Sequence, residues 1–318
     1  MHIVVAEPYE GSAVSRLEQL GRVTVLDTCD EQALVDAVRD AHALLIRSRA
    51  CVTRVVLEAG PHLRVVGRGG VGIENVDVQS AYELGIAVVF TPGAATEAVA
   101  DLTVGLMLDL VRRIHPADAA VRSGHFLDFR EASVDRELSE LTLGVIGLGR
   151  IGKAVARRCR AGFRMNVLYN DIVEPGFIDF VALPVDKAEL YRRADVVSLH
   201  VPLTDQTRQL IDDAALAGFK HGAILINTAR GAVVDGEAVA RALNSGHLGG
   251  AALDVFDPEP PPPTHPLMTA PNTLFTPHLG ARTHRGLARM NDVVDDVVAV
   301  LRGEQPRFCA PRPQPGGP

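Results

Sequence analysis

Several things are missing from this 318-residue chain, and each absence removes a class of function. The four cysteines (Cys29, Cys51, Cys159, Cys309) are scattered and form no C-x-x-C. That speaks against a structural zinc site and against a disulfide framework, so no metal is expected and a reducing, cytoplasmic compartment is. There is no basic block, and the formal charge is -7. Nucleic acid is therefore not an expected partner, because phosphate binding needs concentrated Lys and Arg. No uninterrupted apolar run reaches about 18 residues, so no membrane span is expected. The opening "MHIVVAEPYE" reads as a first strand rather than a signal peptide. No internal repeat is visible.

What remains is a soluble composition with 47% hydrophobic and 22% charged residues, long enough for two domains with real cores. Short apolar runs alternate with helical patterns: strands at 2–7, 22–27, 43–48, 64–67 and 86–90, with helices at about 11–20, 31–40 and 76–84. This rhythm predicts a parallel sheet with helices on both faces. Residues 96–114, "TEAVADLTVGLMLDLVRRI", are helical in length and apolar nearly all round, which predicts a helix buried on several sides: a spine between domains, a subunit interface, or both. A second series has strands at about 143–147, 165–170, 195–199, 223–227, 250–253 and 273–276. One amphipathic helix is predicted over 284–302, and a disordered Pro/Gly-rich tail over 310–318.

"GLGRIG" puts Gly147, Gly149 and Gly152 in G-x-G-x-x-G spacing between an apolar strand and a helical segment. The first glycine permits the turn, the second lets a pyrophosphate approach the backbone, and the third lets helix and strand pack. Asp171 ends the next strand, where a carboxylate accepts ribose hydroxyls and repels a 2′-phosphate. No arginine follows in "DIVEPGF", so NAD is expected over NADP.

In open parallel sheets, ligands bind beyond the carboxyl ends of the strands. Three such ends offer Arg230 ("INTARG"), Asp254 and Glu259 ("GAALDVFDPEP"), and His278 ("TLFTPHLGA"). A 2-oxoacid reductase needs those parts. A guanidinium binds the substrate carboxylate, an imidazole hands a proton to the ketone oxygen, and a carboxylate holds the ring. Asp254 could accept from a nicotinamide carboxamide. Taken singly, each has a plain structural reading: a salt bridge for Arg230, a solvated loop acid for Glu259, a turn cap for Asp254, and one backbone hydrogen bond for His278.

In combination and order, these motifs, with "SLHVPLT" (198–204), "LIRS" (45–48) and "GRGGVGIENVD" (67–77), resemble the D-isomer-specific 2-hydroxyacid dehydrogenase family. The similarity is greatest to its phosphoglycerate dehydrogenase branch, without that branch's regulatory domain. The resemblance covers the chain to about residue 303. It implies two doubly wound parallel-sheet α/β domains, a flavodoxin-like substrate domain (1–95 plus 285–318) and a Rossmann NAD-binding domain (96–284), with a cleft between them and a homodimer. Arg230, Glu259 and His278 would be catalytic. Cofactor contacts would fall on Gly147, Gly149, Arg150, Ile151, Gly152, Asp171, Val201, Thr228, Ala229, Arg230, Asp254, His278, Gly280 and Ala281. Substrate contacts would fall on Arg47, Ser48, Val71, Gly72 and Arg230. Val71 departs from relatives that carry a polar side chain there, and the prolines after Glu259 predict a stiff loop that fixes it. The implied function is hydride transfer between NAD and a small 2-oxoacid/D-2-hydroxy acid pair. Glyoxylate or hydroxypyruvate reduction, and a dinucleotide-sensing interaction protein on the same fold, are the alternatives.

Overall fold

The computed structural model describes residues 1–312. Within them the chain divides into a flanking unit, Met1–Ala95 with the chain from Arg282 onward, and a central unit, Thr96–Ala281. The second division keeps Thr283 with the helix it caps, His284–Asn291, where its hydroxyl accepts from Gly286 N–H.

The flanking unit is built on β1 (His2–Val5), β2 (Arg22–Val25), β3 (Ala43–Ile46), β4 (Val65–Arg68) and β5 (Ala87–Phe90). They form a parallel sheet in the order β2-β1-β3-β4-β5. β1 and β3 are buried on every residue, as a sheet covered on both faces requires, while the edge strand β2 is largely open. One face packs on Leu34, Val38, Val56 and Leu57. The other packs on Val293, Val294, Val297 and Leu301, which is why the C-terminal helix returns to this unit.

That helix is not the single one expected over 284–302. It breaks into His284–Asn291 and Val293–Arg302 at Asp292. The Asp292 carbonyl accepts from Asp295 N–H and from the Arg307 guanidinium, and this tightens the ladder locally. The tail expected to be disordered is ordered as far as it is described. Cys309 bridges Val89 antiparallel, Ala310 N–H donates to Val88 O, and Arg312 lies 4.7 Å over the Tyr82 ring. Residues 313–318 lie outside the described residues. A short helix, Arg54–Glu58, was not anticipated.

The central unit contains β6 (Thr142–Ile146), β7 (Asn166–Asn170), β8 (Leu183–Pro184), β9 (Val196–Leu199), β10 (Ala223–Asn227), β11 (Leu248–Leu253) and β12 (Thr273–Phe275). Their order is β12-β11-β10-β9-β6-β7-β8, all parallel. The order reverses at β6, between β9 and β7. Helix Thr96–Arg112 buries Val99, Ala100, Thr103, Met107 and Val111 within this unit, against helix Arg150–Phe163 and the sheet. It ends where Arg113 turns left-handed (φ 48°). Two helices follow that the sequence reading missed, Ile114–Arg122 and Phe126–Ala132, and neither buries a residue.

Candidate active site

The reversal between β6 and β9 opens a crevice at the carboxyl edge of the central sheet, the usual ligand position in such folds. The glycine loop lines it. Gly147 has φ 90°, and a Cβ there would lie 2.7 Å from His200 O and 2.9 Å from the Val201 side chain. At Gly152 a Cβ would come within 2.1 Å of Gly147 O. Gly149 differs: a Cβ would meet nothing within 4 Å, so the space above it is open. Gly149 is also the N-cap of helix Arg150–Phe163, and no side chain caps it. The leading N–H groups of Arg150 and Ile151 are thus left for an anion. This cradle fits a dinucleotide pyrophosphate.

Asp171 ends β7 beside the loop. One of its oxygens accepts from Leu148 N–H at 2.6 Å and the other from Val173 N–H at 3.0 Å. The acid therefore ties the glycine loop to its own strand end and keeps lone pairs for a ribose.

The trio sits on the same sheet edge. At the end of β10, buried Asn227 accepts from Ala229 N–H at 3.0 Å and donates to Arg230 O at 2.8 Å, shaping the turn that carries Arg230. The Arg230 Nη1 donates to Ala229 O at 2.6 Å. His278 Nδ1 and Glu259 Oε2 are 2.9 Å apart, and the other Glu259 oxygen accepts from Phe256 N–H at 3.0 Å. That N–H holds one oxygen of the acid in place. Burial pushes the Glu259 carboxyl up, but the His278 hydrogen bond, the Phe256 N–H and the His278 and Arg230 charges outweigh it, and the net direction is down. Glu259 thus stays ionised, accepts from His278 Nδ1–H, and leaves Nε2 for a substrate.

Asp254, 1% exposed, organises the histidine's loop. Its Oδ1 accepts from Thr276 Oγ1 at 2.6 Å and Leu279 N–H at 2.7 Å, and its Oδ2 from Gly280 N–H at 2.9 Å. Its backbone O accepts from His278 N–H at 2.8 Å. Those bonds hold His278 at φ 53°, an uncommon left-handed conformation for a residue other than glycine.

Hydroxyl bookkeeping fixes Thr228. The Thr103 hydroxyl donates to Val99 O at 2.7 Å, so at the 2.9 Å contact Thr228 must be the donor to Thr103. Thr228 therefore offers a lone pair beside Ala229, suited to an amide N–H. Asn227 and Thr103 escaped the sequence reading. Asn227 stood in the quoted "INTARG" run, and its signal was a polar residue at a strand end.

His200 was missed too. Its Nε2 bonds Ser198 Oγ at 2.8 Å, while Nδ1 is shut from solvent with no partner among the described residues. Burial holds the imidazole down to about 3. The unfolded chain takes a proton near 6.5 and the folded chain does not, so stability present above pH 6.5 is lost as pH falls. Between about pH 7 and pH 5.5 we expect His200 to contribute ~1 kcal/mol of that loss. His200→Gln should flatten the fall in apparent Tm over this window, and parallel curves for both proteins would contradict it.

Arg47, Ser48, Val71 and Gly72 belong to the flanking unit, at the carboxyl ends of β3 and β4. Arg47 is more committed than its assignment as a substrate contact anticipates. Its guanidinium lies 4.4 Å over the Tyr9 ring and donates to Pro8 O and Asn291 Oδ1. Ser48 is exposed, and Val71 and Gly72 are half-buried.

Among the described residues no cluster of three or more His, Cys, Asp or Glu could hold a metal, and no helix is long and apolar enough to cross a membrane. The chain is similar to several known proteins. D-3-phosphoglycerate dehydrogenase of Methanocaldococcus jannaschii is 42% identical over 306 residues, covering 95% of this chain and 58% of that one. The chain thus spans little more than half of that relative. Glyoxylate reductase of Thermofilum pendens is 38% identical over 320 residues, covering 95% of this chain and 91% of that one. The crystal structure of Aquifex aeolicus D-lactate dehydrogenase, complexed with NAD and lactic acid, superposes with a TM-score of 0.86 at 29% identity, covering 96% of each chain. Residues 104–280 match the family profile described as "D-isomer specific 2-hydroxyacid dehydrogenase, NAD binding domain". The chain belongs to the D-isomer specific 2-hydroxyacid dehydrogenase family.

Proposed function

We propose that the protein is an NAD-dependent oxidoreductase interconverting a 2-oxoacid and its D-2-hydroxy acid. The observation that carries this reading is the 2.9 Å His278–Glu259 pair on the sheet edge that also carries Arg230. NADH, when bound, supplies the hydride. Arg230 takes the substrate carboxylate in a bidentate grip and orients the carbonyl. His278 gives its Nε2 proton to the carbonyl oxygen, and Glu259 holds the ring at Nδ1. Gly147, Gly149, Arg150, Ile151 and Gly152 cradle the pyrophosphate. Asp171 takes the ribose and disfavours NADP. Val201, Thr228, Ala229, Asp254, Gly280 and Ala281 surround the nicotinamide half.

The 3-phosphoglycerate pair is the first candidate substrate, with Arg47, Ser48, Val71 and Gly72 of the flanking unit as its expected contacts. Glyoxylate and hydroxypyruvate are the other candidates. A homodimer belongs to the same reading. Helices Ile114–Arg122 and Phe126–Ala132, which continue from helix Thr96–Arg112, expose Ile114, Val121, Phe126 and Leu127, the surface a second copy would cover. The four free cysteines suit the cytoplasm.

The test is NADH and NADPH oxidation with glyoxylate, hydroxypyruvate and phosphohydroxypyruvate. Turnover with NADH is expected, with reduction favoured at low pH and hydroxy-acid oxidation at high pH, because His278 must begin protonated in one direction and neutral in the other. Tight NADH binding with no turnover on any oxoacid would favour a dinucleotide sensor.

A further inference from the structure

The strand ends that carry Arg230, Glu259 and His278 belong to neighbours in the central sheet, β10, β11 and β12. The loop after the middle strand therefore runs beside both of the others. Phe256 lies in it, two residues beyond Asp254 and three before Glu259. Each part of this half-buried residue has a different partner.

Its N–H donates to Glu259 Oε1 at 3.0 Å, while Glu259 Oε2 meets His278 Nδ1 at 2.9 Å. Its carbonyl end presses on the turn after β10. A Cβ at Gly231, the residue after Arg230, would lie 1.9 Å from both the carbonyl carbon and the carbonyl oxygen of Phe256, and 2.6 Å from Asp257 N. The Phe256–Asp257 peptide thus rests directly on the Gly231 Cα, an approach that a side chain would forbid.

The ring of Phe256 takes the third partner. It meets Phe275 edge-on, with centroids 5.5 Å apart and planes at 72°, a geometry that aromatic pairs favour. Phe275 is the last residue of β12 and stands three residues before His278. Both rings pack on the core of this unit, which includes Leu253 and Leu267. One residue therefore joins the Arg230 turn through its carbonyl, Glu259 through its N–H, and the His278 strand through its ring.

We propose that Phe256 is a positioning residue for hydride transfer. It sets the spacing between the turn that carries Arg230 and the strand that carries His278, so that guanidinium and imidazole keep one separation matched to a 2-oxoacid. The assignment rests on the function proposed above. Gly231→Ala disturbs the junction with the Arg230 turn. Phe256→Leu disturbs the junction with Phe275 and keeps the backbone groups that Glu259 and Gly231 use.

The experiment measures oxoacid KM, kcat per NADH-binding site and NADH Kd for wild type, Gly231→Ala, Phe256→Leu, Phe275→Leu and the double variant of the two phenylalanines. The methyl of Gly231→Ala must push the Arg230 turn away from Phe256, so KM should rise roughly 10- to 100-fold. In Phe256→Leu kcat should fall roughly 5- to 50-fold, with KM within about threefold of wild type. Phe275→Leu should act alike. The double variant should lose little beyond the larger single loss, because either change removes the ring contact. NADH Kd should stay within about threefold throughout, since the glycine loop follows β6. A merely structural role would lower only the fraction of chains that bind NADH, leaving KM and kcat per site at wild-type values. That result, or additive losses in the double variant, overturns the assignment while leaving the proposed function standing. If Gly231→Ala does not fold, the phenylalanine variants decide. A wild type that binds NADH and reduces no oxoacid overturns both.

Discussion

Replacing His278 with alanine should lower kcat by roughly two to four orders of magnitude, the usual contribution of a positioned general acid. NADH binding should change little, because the ring's partner in the fold is Glu259 rather than the glycine cradle. The left-handed turn that presents the ring is built from backbone groups and Asp254, so alanine inherits it. The cost falls on the reaction alone: the ketone oxygen must find its proton in water. A companion change, Glu259→Gln, keeps a group near His278 Nδ1 but replaces the carboxylate that accepts its N–H. It should reduce kcat less than loss of the ring does, because the imidazole remains but is held less firmly. A His278→Ala enzyme retaining near-wild-type turnover would mean that another group supplies the proton.

The second large effect concerns the cradle, where two glycines that look alike in sequence should behave differently. At Gly152 an added methyl would collide with Gly147 O at 2.1 Å, a backbone atom that cannot swing aside. Gly152→Ala must displace the loop, so NADH affinity should fall roughly 100-fold or more and the apparent Tm should fall with it. At Gly149 the protein offers no obstacle within 4 Å. Gly149→Ala should leave the apparent Tm unchanged and still weaken NADH, because the methyl occupies space the pyrophosphate needs. Titrating NADH alongside thermal unfolding separates the two. Equal Tm losses, or undiminished affinity in Gly149→Ala, would show that the cofactor does not use this loop as described.

Much of this site was legible before any coordinates, because it is local. Glycine spacing, the acid closing the next strand and polar residues at strand ends all lie within a few residues of an apolar run, and parallel topology brings those ends to one edge. Structure was hidden where the deciding contacts are distant in sequence. Buried Glu7 accepts from Arg47 N–H and Ala50 N–H about forty positions away, and nothing local in "AEPYE" distinguishes that role from a surface acid. Asp254 looked like a ligand contact, yet most of its bonding capacity goes to the Thr276–Gly280 turn. Helices Ile114–Arg122 and Phe126–Ala132 lack a buried stripe, so the periodicity that betrays other helices is weak there. At the Asp292 break the carbonyl also accepts from Arg307, a partner that no window over 284–302 contains.

In the proposed function, Arg230, Glu259 and His278 serve a hydride exchange between the nicotinamide and C2 of the substrate. Its most direct test is a single turnover with NADH deuterated at the transferring position and a 2-oxoacid the enzyme accepts, followed by analysis of the product. Deuterium on C2 of the D-2-hydroxy acid, formed by wild type and nearly abolished in His278→Ala, is the predicted result. Deuterium retained in the bound cofactor, or a product of the opposite configuration, would contradict the account.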